Sequence, residues 1–281
     1  MTAITVIGDA MIDVAIRTLA PMQYGADTPS AIDVAPGGAG ANIAVWLAAL
    51  GHDVTLIASV GSDTYGAAML AQLAQYEVSC HVEKHHDAPT GTCVVLLDEN
   101  GERSMFPDPG ANSLLFQADV AIPPLTAHLH LSGYTLAHPG SSDLISALSK
   151  FPGTSSLDLA SATIIGKNPA IHHAAAIVDV VFGTTPEFAC LPQGLTLAHR
   201  VEKSGKDGVV AYVDEAMCKV HAPDVPVIAT TGAGDAFAAG YLSAWLSDPQ
   251  NVDGALVLGT HCAARALSRV AAWPTATRPE G

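Results

Sequence analysis

Short β-rich runs recur along the chain: ITVIG (4–8), VTLIASVG (54–61), TCVVLLD (92–98), HLHLSG (128–133), SLDLA (156–160), IVDVVFG (177–183) and GVVAYV (208–213). Between most of them lie Ala- and Leu-rich segments of helical period. In NIAVWLAALG, Ile43, Leu47 and Leu50 share a face and Gly51 can terminate the helix. Such alternation predicts an α/β fold, a mainly parallel sheet with helices on both faces. Two stretches depart from it. Residues 14–36 and 80–108 alternate in the β manner with turn residues, as in GTCVVLLDENGERSMF, where Asn100-Gly101 reads as a hairpin turn. They are expected to form a small β flap, or lid, over the site. No Pro/Gly/Ser-rich linker divides the 281 residues, so one domain with a lid is expected, its tail AAWPTATRPEG lying loosely on the surface.

Charge and cysteine usage narrow the partners. A formal charge of −15, with 12 scattered Lys and Arg, disfavours nucleic acid and anionic membrane surfaces. Five cysteines, odd in number and without a C-x-x-C pair, suggest neither a disulfide framework nor a zinc knuckle. The opening MTAITVIGDAMID lacks a basic leader, and no apolar run reaches the roughly 18 residues a membrane span needs. A soluble cytoplasmic protein is expected.

In parallel sheets, ligands bind beyond the carboxyl ends of the strands, so chemistry is expected just after VIG, SVG, LSG and VFG. There is no G-x-x-x-x-G-K-[ST], and VIGDAMID lacks G-x-G-x-x-G, so any phosphate site is built otherwise. In ATTGAGDAFAAGYLSAW, Gly232, Ala233 and Gly234 precede Asp235 and a run with Phe237, Tyr241 and Ala244 on one helical face. A helix start of this kind presents unpaired N–H groups and a positive dipole end to an anion. Asp235 then lies beside that anion, or serves only as a helix cap. A second glycine-rich stretch sets Gly37, Gly38 and Gly40 ahead of Asn42, whose amide can both donate to and accept from a sugar hydroxyl.

The spacing of Gly37-Gly38, Asn42, Ala44, Gly51 and Gly61, together with TTGAGDAFAAGYL, resembles the two signature patterns of the ribokinase-like (PfkB) sugar kinases. GSDTYG (61–66), GERSMF (101–106), PGANSLL (109–115) and KSGKDGVV (203–210) agree in order, so the resemblance runs from about residue 4 to 272. It implies a ribokinase-like fold and an ATP- and Mg²⁺-dependent kinase of a small sugar. Asp235 would be the general base, and the turn of Gly232, Ala233 and Gly234 the anion hole for the transferring phosphoryl group. Asp13, Gly38 and Asn42 would bind the sugar, with Asp9 or Asp27 as additions and Arg103 closing from the lid. Lys203, Gly205 and Gly208 would approach the nucleotide. The alternatives are bland: Asp13 as a turn cap, Lys203 and Arg103 as solvated surface charges.

Departures from the family pattern stand out at Thr184, Ala229 and Ala271. GTTPEF keeps Glu187 for the Mg²⁺ water shell but has Thr184 where relatives often have Asn. Ala229 and Ala271 occupy places that in many relatives help form a monovalent-cation site. The twelve histidines, among them His128 and His130 on one side of a strand, lack carboxylate or cysteine spacing for a transition metal. The rival functions are a nucleoside kinase of the same superfamily, with Phe106 and Tyr134 as base-stacking candidates, and a non-catalytic binding relative. Homodimer formation through open edges of the lid is a further expectation.

Overall fold

The computed structural model describes residues 1–97, 103–116, 121–214, 216–269 and 271–275. In chain order the strands are β1 (Ala3–Ile7), β2 (Met11–Thr18), β3 (Ser30–Gly37), β4 (Asp53–Gly61), β5 (Ser79–His85), β6 (Gly91–Leu97) and β7 (Arg103–Asp108). There follow β8 (His128–Ser132), β9 (Thr154–Asp158), β10 (Val180–Thr184), β11 (His199–Lys203), β12 (Val209–Val213) and β13 (Ala216–Val220). Among the described residues they form two sheets. The larger runs β13-β12-β11-β10-β9-β8-β1-β4-β5, and the smaller β3-β2-β6-β7. All pairs from β5 across to β11 are parallel, while β12 and β13 close that edge as an antiparallel hairpin.

Helices cover both faces of the large sheet, as a mainly parallel sheet requires. On one face Trp46 and Leu47 of α1 (Ala39–Ala49), Leu73 of α2 (Thr64–Gln75), Tyr241 of a helix at Ala233–Trp245 and Leu256 of one at Val252–Leu267 pack on Ile4, Val6, Leu56 and Phe182. On the other, Leu144, Ile165, Ile171 and Phe188 pack on Leu129, Leu131, Leu157 and Val181. Phe182 is fully buried, a contribution of roughly 1.5–3 kcal/mol for such a side chain. Helix α1 is buried on all sides from Gly40 to Leu47, because it is pinched between the sheet and the helix at Ala233–Trp245. For chain order, the helices after α2 are α3 (Gly133–Leu136), α4 (Ser141–Leu148), α5 (Ala162–Ile165), α6 (Pro169–Ile177), α7 (Thr185–Phe188), α8 (Ala233–Trp245) and α9 (Val252–Leu267).

The lid is the small sheet; its first strand begins at Met11, earlier than the sequence suggests, and its later pair begins at Gly91, after the expected start. Residues 80–85, expected in the lid, belong to β5, which extends the large sheet in parallel register with β4. Alternation alone cannot distinguish an edge strand of one sheet from a strand of another. The Asn100-Gly101 turn lies outside the described residues. The tail also departs from expectation: Ala272 and Trp273 are 4% and 5% exposed, so the chain before residue 276 is anchored rather than loose. A Trp offers too much apolar surface to leave in water when a pocket is at hand.

His128 and His130 both face α8 and are fully buried. His128 meets Thr154 Oγ1 at 2.9 Å and Ser156 Oγ at 2.8 Å, and His130 Nδ1 meets Ser156 Oγ at 2.8 Å. Burial lowers both pKa values to about 3, so they are neutral core groups. Among the described residues, no group of three or more His, Cys, Asp or Glu is placed to hold a metal.

Candidate active site

The site forms where the carboxyl ends of the central strands meet the starts of α1 and α8. After β1 the chain turns at Gly8 and Asp9. Asp9 accepts the Ala39 N–H at 3.1 Å and the Ser132 hydroxyl at 3.2 Å, and its carbonyl accepts the Ala41 N–H at 3.0 Å. It ties β1, β8 and the first turn of α1 together. Gly38 enters α1 at φ 90, where a Cβ would lie 2.7 Å from the Asp9 carbonyl. That close approach requires glycine. Asp27, exposed in the β2–β3 hairpin, has no comparable setting.

Helix α8 begins with Gly232 in the left-handed region at φ 76, and Asp235 falls in its first turn. A Cβ on Gly232 would come within 2.5 Å of Ala272 Cβ, so this turn is shaped against the C-terminal segment. Ala233 N makes only a long 3.5 Å contact to the Thr230 carbonyl. The 232–234 turn therefore keeps donors and the helix's positive end for an anion. On the floor of the cleft, Asp235 Oδ2 accepts the Asn42 amide N–H at 2.7 Å.

Charge is concentrated around this contact. Asp235 is half-buried by exposed area but closely surrounded by protein. That withdrawal from water raises its pKa to about 7, with Asp158 and Asp9 adding and the Asn42 hydrogen bond and Lys203 opposing. Asp13, on β2, is likewise raised to about 7 by burial and by Asp9 and Asp235. These values suit a group that gives and takes a proton near neutrality.

Lys203, at the end of β11, is not a solvated surface charge. Its Nζ lies 2.5 Å from Asp158 Oδ2, at the end of β9, and 3.4 Å from where a Cβ on Gly234 would sit. Asp158, helped by Glu187 and Asp235, raises its pKa against the opposing effect of burial, so it stays charged beside the 232–234 turn. Glu187 Oε2 accepts the Thr184 N–H at 2.7 Å at the start of α7. Burial raises the Glu187 pKa, while that N–H and Lys203 hold it down. Arg103, on β7 of the lid, donates to Thr230 Oγ1 at 2.9 Å and so joins the lid to the loop before the turn.

Gly205 and Gly208 stand farther out, in the turn between β11 and β12, where Ser204 N–H bonds the Gly208 carbonyl at 2.9 Å. Three participants escape a sequence reading limited to the two glycine motifs. Asp158 could have been found, since SLDLA ends a strand and strand ends carry the chemistry. Tyr134, considered only as a stacking group, has its phenol pKa raised by burial and then by Asp9, Asp235, Asp158 and Glu187, which places it among both acid groups. Trp273 gave no local signal. Phe106 pairs with Val94 on the lid face opposite Asp13 and Arg103, so it points away from the cleft.

A profile of the pfkB family carbohydrate kinases matches residues 1–276. The chain belongs to that family. Among relatives of this pfkB chain, a fructokinase of Klebsiella pneumoniae is 32% identical over 267 residues, covering 85% of this chain and 83% of the relative. Adenosine kinase from Sinorhizobium meliloti superposes with a TM-score of 0.86 at 20% identity, covering 98% of this chain and 96% of its own. An uncharacterized sugar kinase of Pyrococcus horikoshii, solved in complex with ATP, gives a TM-score of 0.78 at 20% identity and covers 96% and 94%. Both structural likenesses establish the ribokinase-like fold. The pfkB membership makes the protein a carbohydrate kinase, a phosphotransferase.

Proposed function

We propose that the protein transfers the γ-phosphoryl group of ATP to a hydroxyl of a small, unphosphorylated sugar, with Asp235 as the general base. The observation that carries this reading is a carboxyl with a pKa near 7 set in the first turn of α8, directly after the glycine turn. In its ionised form Asp235 takes the proton of the acceptor hydroxyl as that oxygen approaches phosphorus. The N–H groups of Ala233 and Gly234 stabilise the phosphoryl oxygens, and Lys203, held by Asp158, adds a fixed positive charge. Gly205 and Gly208 shape the turn beside the nucleotide, and Arg103 closes the lid over the reacting groups.

No cluster among the described residues forms a cage for Mg²⁺ by itself, which suits an ion that arrives on the nucleotide phosphates and keeps several waters. Glu187, with Thr184 beside it, and Asp158 are the groups that fit its water shell. When bound, the ion neutralises phosphate charge.

The acceptor side is lined by Asp9, Asp13, Asp235 and Asn42. Asp13 and Asn42 supply hydrogen bonds to sugar hydroxyls, with Gly38 allowing the close approach. An acid-lined cavity repels a substrate that already carries phosphate. Tyr134 favours a nucleoside, because its phenol is set among Asp9, Asp235, Asp158 and Glu187. The five cysteines are all free thiols, in keeping with action in the cytoplasm. A second copy of the chain is the partner expected at the lid.

The test is ADP release across unphosphorylated sugars, sugar phosphates and nucleosides, for the wild type and for Asp235→Asn. The expected result is turnover of an unphosphorylated sugar that falls on the order of 10²-fold or more in the variant, with ATP affinity within a few-fold. Turnover of sugar phosphates alone would reject the neutral acceptor. Retained turnover in the variant would remove Asp235 from the mechanism.

A further inference from the structure

The C-terminal segment and the base are joined by a chain of hydrogen bonds whose first donor, Trp273, lies outside the two glycine motifs. Trp273 Nε1 donates to Asn42 Oδ1 at 2.8 Å, and Asn42 Nδ2 donates to Asp235 Oδ2 at 2.7 Å. An indole N–H can only donate. It therefore fixes which end of the Asn42 amide is oxygen, and the NH₂ end must face the carboxylate. We propose that Trp273 is a positioning residue for the general base, acting through Asn42.

Trp273 is itself held in place. Its ring meets Tyr76 edge-on, with centroids 5.4 Å apart at 87°, and Tyr76 donates to the Pro274 carbonyl at 2.5 Å. Trp46 Nε1 donates to the Ala272 carbonyl at 2.9 Å. Ala272 is the residue against which Gly232 packs, so the same segment backs the anion turn and orients the base. With one lone pair of Oδ1 taken by Trp273 and one N–H given to Asp235, Asn42 has one N–H and one lone pair left to offer a substrate. Its larger part is to hold Asp235 ionised. Without the indole donor the amide is free to turn its oxygen toward a carboxylate already faced by Asp9, Asp13 and Asp158, with Lys203 as the opposing charge and the Tyr134 phenol nearby.

Trp273→Phe keeps most of the ring and removes the donor. This inference rests on Asp235 being the base, so Asp235→Asn is measured alongside. The expected result is an upward shift of the apparent pKa in the kcat/KM profile by about half a unit to one unit. Activity should then fall roughly two- to six-fold at neutral pH, recover toward the wild-type level at higher pH, and leave KM for ATP within about two-fold. In an Asn42→Ala background the same change should shift the profile no further. A loosened fold would lower activity at every pH and give no such shift. In the wild type, the Trp273 indole ¹⁵N–¹H resonance should titrate with a midpoint near 7 and lose that titration in Asp235→Asn, a readout that holds even if Trp273→Phe does not fold. An unmoved profile in a folded Trp273→Phe, or an indole signal flat through neutrality, overturns the proposal. If Asp235→Asn is fully active, the base assignment fails instead.

Discussion

At the scale of single residues, the two acids at the cleft set how activity depends on pH. Asp13 and Asp235 are each raised to about 7, and Asp235 is one of the charges that raise Asp13; repulsion between like charges is reciprocal, so they titrate as a pair with shared apparent pKa values. The base works only when ionised. Activity should therefore be low in acid and rise with pH, with kcat/KM climbing through a midpoint near 7 and levelling above it. Asp13→Asn removes one negative neighbour of Asp235, so the midpoint should move to lower pH even as sugar binding weakens. A pH-rate profile of both proteins checks this. A wild-type midpoint near the ordinary carboxylate value of about 4 would show that substrate-free burial does not govern the reacting group.

At the scale of elements, the glycine motifs and the strand-helix alternation made the site legible, because each is a local demand on the backbone. Gly38 and Gly232 hold positive φ where side chains would strike Asp9 and Ala272, and such positions leave glycine in the sequence. The Lys203–Asp158 pair and the placement of Trp273 were not legible, since each joins residues far apart in the chain. Alternation also located the lid but not its sides, which follow from strand register. Register sets Val14, Val34, Val94 and Phe106 in one row, with Ile16, Ile32 and Leu96 in the same alternation, opposite Asp13 and Arg103. Ile32, Val34 and Phe106 are 61%, 57% and 59% exposed. An apolar sheet face in water invites a matching surface, so the lid is expected to pair by its outer face rather than only by its strand edges. Val34→Glu with Phe106→Glu should turn a dimer into a monomer in sedimentation; an unchanged mass at the same concentration would dismiss that face.

At the scale of the whole molecule, buried histidines and the cleft acids pull acid stability in opposite directions. His128 and His130 are lowered to about 3 and His199 to about 4, chiefly by burial, so the fold keeps them neutral. The unfolded chain takes up those protons near its ordinary value of about 6.5, and stability is lost as pH falls below it. Asp13 and Asp235 act with the other sign. Raised to about 7, they bind protons in the folded protein that the unfolded chain takes up only near about 4, so acidification through this window favours the fold. Three histidine protons against two carboxyl protons leave one, and burial lowers His52 and His138 in the same direction as the other histidines. Between about pH 4.5 and 5.5 the folded state should therefore lose about 1.4 kcal/mol per pH unit on acidification. Asp13→Asn removes one opposing proton and should steepen the loss to about 2.7 kcal/mol per unit over the same window, although it also relieves repulsion at neutral pH. Urea unfolding at a series of pH values measures both slopes. A wild type that gains stability on acidification through this window would mean that the cleft acids outweigh the histidine core.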